Sequence, residues 1–341
     1  MEAVILKCTS GSRFHFGEYT NHQNLALMDT AEYIHSDVLF GAFISTVAQV
    51  CPDRLSHYKS LFETGKVCFS SGFYCIEKRG QTENNYIYLL PKPASLNLKD
   101  AGEDHKVYKR IKYISKTVWE KGIELADWFA QHSECVAPNS VSLFHNSELA
   151  SDAIFKLAEK ADNLKVRKHT TEMDANLYTQ TDLVLLGNED YVVHWYFLLD
   201  TQLPEDEKTE LKNLIEWMAS NGLGGERSTG CGKIDNVEFY KFELNPTISS
   251  SEKATLSMLI PKEEDIPKLK QYQIKKRGGR FLSSEHRLQL ITAVLEGAIV
   301  SDTVQPQVIN LAQSGQASWR YGGCLSLEVH KNHVIHTEKE Q

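Results

Sequence analysis

Asn221-Gly-Leu-Gly-Gly-Glu-Arg-Ser-Thr-Gly-Cys-Gly-Lys233 holds five of the chain's twenty glycines, two cationic side chains and two hydroxyls. Glycine lets backbone N–H groups approach a ligand and tolerates positive φ. Such a loop can present amides to phosphate oxygens, with Arg227 and Lys233 adding charge; it can equally be a glycine-rich surface turn. It fits neither common nucleotide loop. Gly230 is followed by Cys231 where the Walker pattern needs Lys-Ser/Thr, and Arg227 stands where the dinucleotide pattern needs its third glycine. The order of elements is also inverted. Residues 204–219 predict a helix, with Pro204 suited to its first position, acids at Glu205, Asp206 and Glu207, and Leu211, Leu214, Ile215 and Met218 on one face. Residues 234–242 predict a strand. Helix, loop, strand is the reverse of the strand-to-helix run of ATP and NAD sites.

The chain has 341 residues, 41% hydrophobic and 24% charged, enough for two domains and a sizeable core. Its net charge of −8 argues against a generically basic nucleic-acid binder and leaves local patches open. Met1 runs into a strand-like Val4–Cys8 rather than a basic-plus-apolar leader, and no apolar run reaches about 18 residues. The expectation is a cytoplasmic protein with no membrane span. Seven irregularly spaced cysteines predict free thiols. No Cys-x-x-Cys pair exists, and His330, His333 and His336 read as a solvated tail rather than a metal set. No metal and no cofactor are expected.

Around the first strand, Arg13, Phe14, His15, Phe16 and Gly17 place two aromatics beside a cation and an imidazole. Stacking aromatics beside cations suit single-stranded RNA, although Phe14 or Phe16 can equally be core. Ser36 is a cap candidate for a helix through Val50, with Asp37 in its first turn. Phe69–Glu77, Tyr86–Leu90 and Tyr191–Leu199, apolar on both faces, read as strands, the last of them central. Asp152–Ala161 reads as a short helix, Gln131–Ser151 as loop, Thr255–Ile260 and Trp319–Val329 as strands, and 284–300 as either helix or strand. Three basic clusters stand out from the acidic average. Residues 105–121 carry Lys109, Arg110 and Lys112 with interleaved Tyr108, Tyr113 and Trp119; Lys165–Thr170 carries Arg167, Lys168 and His169; Lys268–Arg280 has six cations and no acid.

Phe14–Gly17, Ile34–Phe43, Tyr88–Pro93, Arg167–Tyr178 and above all Gly222–Lys233 together resemble the RAMP-superfamily subunit that caps the crRNA 5′ end in type III-A (Csm) CRISPR effector complexes. The resemblance implies an α+β fold of two ferredoxin-like, RRM-related domains, expected at 1–145 and 146–341 with the loop in the second, and a β-hairpin thumb. The thumb is placed at Lys165–Leu186, with 105–121 as the other candidate. It implies a non-enzymatic subunit that binds the crRNA 5′ handle, the large polymerase-like signalling subunit and the repeating backbone subunit. Gly222, Gly224, Gly225, Arg227, Ser228, Thr229, Gly230, Gly232 and Lys233 would cradle handle phosphates. His15, Phe16 and Gly17 would face the same groove, and Arg167, Lys168 and His169 would form the basic entry to the hairpin. Cys231 departs from the larger aromatic common there. Related RAMP proteins cut repeat RNA without metal, so an endoribonuclease using His15 is the alternative, and a protein-docking subunit that hardly touches RNA is a third reading.

Overall fold

The computed structural model describes residues 1–19, 27–80, 86–97, 105–168, 175–279, 288–312 and 317–334. The strand Tyr191–Thr201 is the axis of the main sheet. Its run from Val193 to Leu199 is buried on both faces, as its apolar residues require, and the one polar member, His194, is paired with Glu77 at 2.8 Å. One edge pairs with Glu2–Lys7, Phe197 opposite Val4, and the other with Phe73–Lys78, Trp195 opposite Tyr74. Glu2–Lys7 pairs on its far side with Asn236–Lys241. All these ladders are antiparallel. A helix, Ser36–Val50, lies between the first and second of these strands in the chain, and another, Glu205–Ser220, between the third and fourth. The strands therefore come from both sides of residue 145, and the Gly-rich loop hangs from the same sheet as the chain's first strand.

The helices cover one face of this sheet. Ser36–Val50 buries Leu39, Phe40, Phe43 and Val47, a spacing that keeps them on one side. The Phe43 ring meets Phe69 and Phe62 at 5.6 and 5.7 Å. Removing a fully buried phenylalanine costs about 3–5 kcal/mol, so Phe43→Ala would loosen the helix from the sheet. Glu205–Ser220 buries Leu211, Leu214, Ile215 and Met218 as its sequence predicts, with Pro204 one position earlier, at the N-cap.

Several expectations are corrected. The N-cap of Ser36–Val50 is His35, not Ser36. Ser36 is wholly buried: its N–H donates to Ser71 Oγ and its Oγ accepts from the Met258 N–H. Asp37 acts less as a first-turn acid than as a buried ion pair with Arg277 and Arg320. Residues 156–161 are strand, not helix. Lys156–Lys168 pairs with Ala175–Gly187 from Lys156↔Gly187 to Lys168↔Ala175, and this long ladder outweighs the weak β-preference of its lysines and alanines. The strand expected at Thr255–Ile260 is instead Ser249–Thr255; beyond it Ser257 Oγ is diverted to the Phe69 carbonyl at 2.7 Å. Trp319–Val329 breaks into Trp319–Gly322 and Ser326–His330. Gly323 packs so closely on Ser257 that a Cβ there would lie 2.4 Å from it.

Residues 249–330 supply a four-stranded sheet, ordered Leu269–Gln271, Ile299–Val300, Ser249–Thr255, Ser326–His330, and two strand pairs. Residues 291–294 and 299–300 are strands, which settles the described part of the ambiguous 284–300. The stretch expected as loop, 131–151, contains the strand Ser142–His145, parallel to Tyr113–Ser115. His330 and His333 are buried, not solvated, and His336 lies outside the described residues. Burial pushes His333 down to about 4. All seven cysteines are free thiols. No helix among the described residues is long and apolar enough to cross a membrane.

Candidate nucleic-acid interface

The Gly-rich loop closes on itself and on the segment after the first strand. The Leu223 N–H donates to the Gly232 carbonyl at 2.9 Å, the Gly232 N–H to the Arg13 carbonyl at 2.7 Å, and the Gly225 N–H to the His15 carbonyl at 2.8 Å. These contacts need glycine. At Gly232, φ +81°, a Cβ would lie 2.2 Å from the Leu223 oxygen; at Gly224, φ +88°, it would lie 2.6 Å from the His15 oxygen. Leu223 and Cys231 are buried beneath the loop, which explains the absence of a larger aromatic at 231. Burial, and then the charge of Asp182, push the Cys231 thiol up to about 11, so it donates as a neutral S–H towards Asp182 at 3.6 Å.

With its base fixed, the loop turns its upper side outward. Gly225, Arg227, Ser228, Thr229, Gly230 and Lys233 are exposed, and a Cβ at Gly230 would meet nothing within 4 Å. The Arg227 guanidinium is steered by the Asn221 carbonyl at 3.2 Å and has no ion pair among the described residues. Lys233 is paired with Asp235 at 2.7 Å, and Asp235 also accepts from Thr9 Oγ1 at 2.6 Å. Hydrogen bonds from Lys233 and Thr9 hold the Asp235 carboxyl below the usual carboxylate range.

The hairpin Lys156–Lys168/Ala175–Gly187 docks on this loop. Lys165 Nζ donates to Thr229 Oγ1 at 3.0 Å, and the exposed Arg13 donates to Asn163 Oδ1 at 3.3 Å. Arg13, Lys165, Arg227 and Lys233 therefore border one surface. Leu164, Val166 and Leu177 are 68%, 51% and 63% exposed, and Val166 is directly opposite Leu177, so the arm carries an uncovered apolar face. Arg167 and Lys168 continue this strand outward; His169 lies outside the described residues. The alternative thumb, 105–121, is no hairpin: it is helix His105–Arg110, strand Tyr113–Ser115 and helix Lys116–Lys121.

Other expected contacts change place. Phe14 and Phe16 are both core, edge-on to Trp195 at 5.8 Å each, so Phe16 offers no face for stacking. His15 is 3% exposed, its Nδ1–H donating to the Thr181 carbonyl at 2.9 Å while its ring lies under Gly225. It supports the loop from below; Gly17 is exposed. Tyr113 and Trp119, two of the three aromatics read as interleaved for RNA, are buried core, and Tyr108 is half-buried with its ring against Phe129 at 5.2 Å. Lys109 and Arg110 are exposed, whereas Lys112 is paired with Glu32 at 2.5 Å, and Lys109 and Lys112 line a separate cavity instead of the Gly loop. In the third cluster Arg277 is buried against Asp37, Lys275 is paired with Glu18, and Arg280 lies outside the described residues. The sequence reading left Arg13 and Lys165 without assigned roles; the signal for Lys165 was there, because strand pairing carries its side chain to the loop.

Comparison with known proteins finds similar chains. Residues 249–329 match the family model of the CRISPR Csm4 C-terminal domain. The chain is 26% identical over 342 aligned positions to the CRISPR system Cms protein Csm4 of Methanocaldococcus jannaschii, covering 89% of this chain and 86% of that protein. Its fold resembles a chain in the crystal structure of a Csm3-Csm4 subcomplex of the type III-A CRISPR-Cas interference complex, with a TM-score of 0.67, 22% identity, and 96% and 98% of the two chains covered. It also resembles one in a Csm1-Csm4 cassette complexed with AMPPNP, with a TM-score of 0.57, 17% identity, and coverage of 98% and 99%. These matches bear out the resemblance read from the sequence.

Proposed function

We propose that this Csm4-type RAMP chain is a non-catalytic subunit that holds the repeat-derived 5′ handle of crRNA in a type III-A effector and joins the large signalling subunit to the repeating backbone subunit. The observation that carries this is the exposed rim from Gly225 to Gly230, with Arg13, Arg227 and Lys233 around it, locked to a protruding hairpin through Lys165 and Thr229. Open backbone supports close approach of phosphates, and the four cations supply affinity. The hairpin's apolar face, Leu164, Val166 and Leu177, suits a thumb that wedges against unstacked bases at the handle–guide border. The Csm3-Csm4 and Csm1-Csm4 assemblies of the similar structures motivate the two protein partners.

We read the strand order Asn236–Lys241, Glu2–Lys7, Tyr191–Thr201, Phe73–Lys78 with its two helices as one ferredoxin-like unit. On this reading the Gly loop belongs to the unit that contains the first strand. The sheet of residues 249–330 stands as the counterpart of the second domain.

The test is binding of handle RNA against scrambled RNA of equal length over a salt series. Preference for the handle with steep salt dependence supports the assignment; equal binding sinks the specificity claim, and no salt-dependent binding sinks RNA contact altogether. Cleavage through His15 has no favouring observation, since the ring is buried and one nitrogen is engaged. Incubating repeat RNA with the protein and its His15→Ala variant decides it, because cutting lost in the variant would establish a ribonuclease.

A further inference from the structure

Beneath the Gly-rich loop lies a carboxylate that no part of the cationic rim pairs with. Asp182, on Ala175–Gly187, is 1% exposed and has no ion pair among the described residues. A buried charge is costly unless hydrogen bonds surround it. Here they come from three side chains. Oδ1 accepts from Gln180 Nε2 at 2.6 Å and lies 3.6 Å from Cys231 Sγ of the loop, and Oδ2 accepts from Asn163 Nδ2 at 2.9 Å. A carboxylate only accepts, so Gln180 turns its amine towards it, and the Gln180 Oε1 is left buried with no hydrogen-bond partner. The cluster thus satisfies Asp182 in preference to Gln180, although an orphaned buried carbonyl is destabilising.

The same constraint fixes Asn163. Its Nδ2 donates inward to Asp182 and, at 3.3 Å, to the Ala161 carbonyl. Its Oδ1 must then face the other way, where it accepts from Arg13 Nη1 at 3.3 Å. Strand register makes this reach possible. Arg13 is opposite Val184 on one edge of Ala175–Gly187, and Asn163 is opposite Gln180 on the other. Asp182 lies between Gln180 and Val184, and alternate residues of a strand share a face. The Arg13 side chain therefore crosses the strand that bears Asp182 to meet Asn163 on the far side.

We propose that Asp182 is a positioning residue: it turns the Asn163 carboxamide so that its carbonyl holds the exposed Arg13 guanidinium across the base of the hairpin, beside the Gly loop. This rests on the RNA-binding reading above and adds a group that itself touches no RNA. Arg13 is then ordered before a phosphate arrives, which lowers the entropy lost on binding. Charge alone predicts the opposite sign. An anion beneath the surface repels phosphate, so removing a carboxylate with no positioning role would tighten RNA binding.

The test is Asp182→Asn in the full-length protein, with handle-RNA affinity read by fluorescence anisotropy and the fold checked by urea unfolding. An asparagine there turns one acceptor into a donor, so it cannot receive all three side chains. Binding is expected to weaken about five-fold, the scale of ordering one long side chain at an interface. Arg13→Gln should then add little in the Asp182→Asn background, whereas Arg227→Gln should cost the same in both backgrounds. Asn163→Ala, at a half-buried position, should weaken binding to a like extent and couple to Arg13→Gln in the same way, which decides the matter should Asp182→Asn unfold. Tighter or unchanged binding, or losses that simply multiply with Arg13→Gln, would overturn the proposal while RNA binding stands. Equal coupling to Arg227→Gln would show that the whole loop has moved, and would overturn it too. If the unaltered protein binds no RNA, the RNA reading falls and takes the proposal with it.

Discussion

Replacing Arg13, Arg227 and Lys233 by glutamine, singly and together, tests the interface most directly. Arg13 and Arg227 are exposed and have no ion pair among the described residues, whereas Lys233 is held by Asp235 at 2.7 Å. A cation that contacts a phosphate releases counterions, and each such contact adds about 0.7 to the slope of log affinity against log salt for a single strand. The slope should fall by about 0.7 for Arg13→Gln and for Arg227→Gln, and by about 1.4 for both. Over a four-fold rise in salt, each lost contact narrows the affinity ratio by about 2.6-fold. Lys233→Gln should cost less, because a phosphate must first displace Asp235. Asp235→Asn frees that lysine, so it should raise affinity and steepen the slope towards a further 0.7 or so. The assay is anisotropy with labelled handle RNA from low to moderate salt. Weakened affinity with an unchanged slope would show that these cations do not meet phosphates. A loss on Asp235→Asn would refute the competition between Asp235 and RNA.

Gly232→Ala should collapse the loop, because its Cβ would lie 2.2 Å from the Leu223 oxygen; handle binding should vanish, with stability lowered by at least about 2 kcal/mol in urea unfolding. Asp37→Ala strands Arg277 and Arg320 and should cost about 3–5 kcal/mol in the same assay. His333, its pKa pushed down to about 4, is neutral when folded but takes a proton near about 6.5 when unfolded, so its stabilising effect is present above that pH and lost as pH falls towards 4. The loss amounts to about 3 kcal/mol; His333→Gln should flatten it, and an unchanged pH profile of the urea midpoint would contradict the assignment. Diamide, which takes two electrons and both thiol protons, should join Cys68 to Cys324, whose sulfurs lie 3.1 Å apart; an intact mass that does not fall by two hydrogens would refute it.

What could be read in advance was local. The amphipathic stripes of 36–50 and 205–220 and the apolar run of 191–199 each carry their burial pattern in their own residues. The helix-to-strand direction of the loop was legible for the same reason. The failures were non-local. Residues 156–161 look helical until their partner strand, some twenty residues on, is in place. Phe16, Tyr113 and Trp119 look like RNA-stacking groups because adjacent cations do not reveal which way a ring points. His330 and His333 look like a tail, yet the His333 ring donates to the Ile123 carbonyl at 3.1 Å, a contact spanning much of the chain. The His35–Glu296 pair joins residues 261 positions apart, which no window of sequence displays.

The position of Glu2–Lys7 between Tyr191–Thr201 and Asn236–Lys241 sets the order in which this protein can be made. Glu2–Lys7 leaves the ribosome with neither neighbour, since both follow it far along the chain, and its second edge stays open until residue 241 emerges. Closing such distant pairings is slow, and strands with bare edges invite pairing with other chains. A nascent chain of this design carries Ala3, Val4, Ile5 and Leu6, all fully buried in the finished fold, uncovered until those partners emerge. Fragments ending near residue 145 should therefore aggregate instead of folding, and the Gly-rich loop can settle only about when Asn236–Lys241 closes the sheet beneath it.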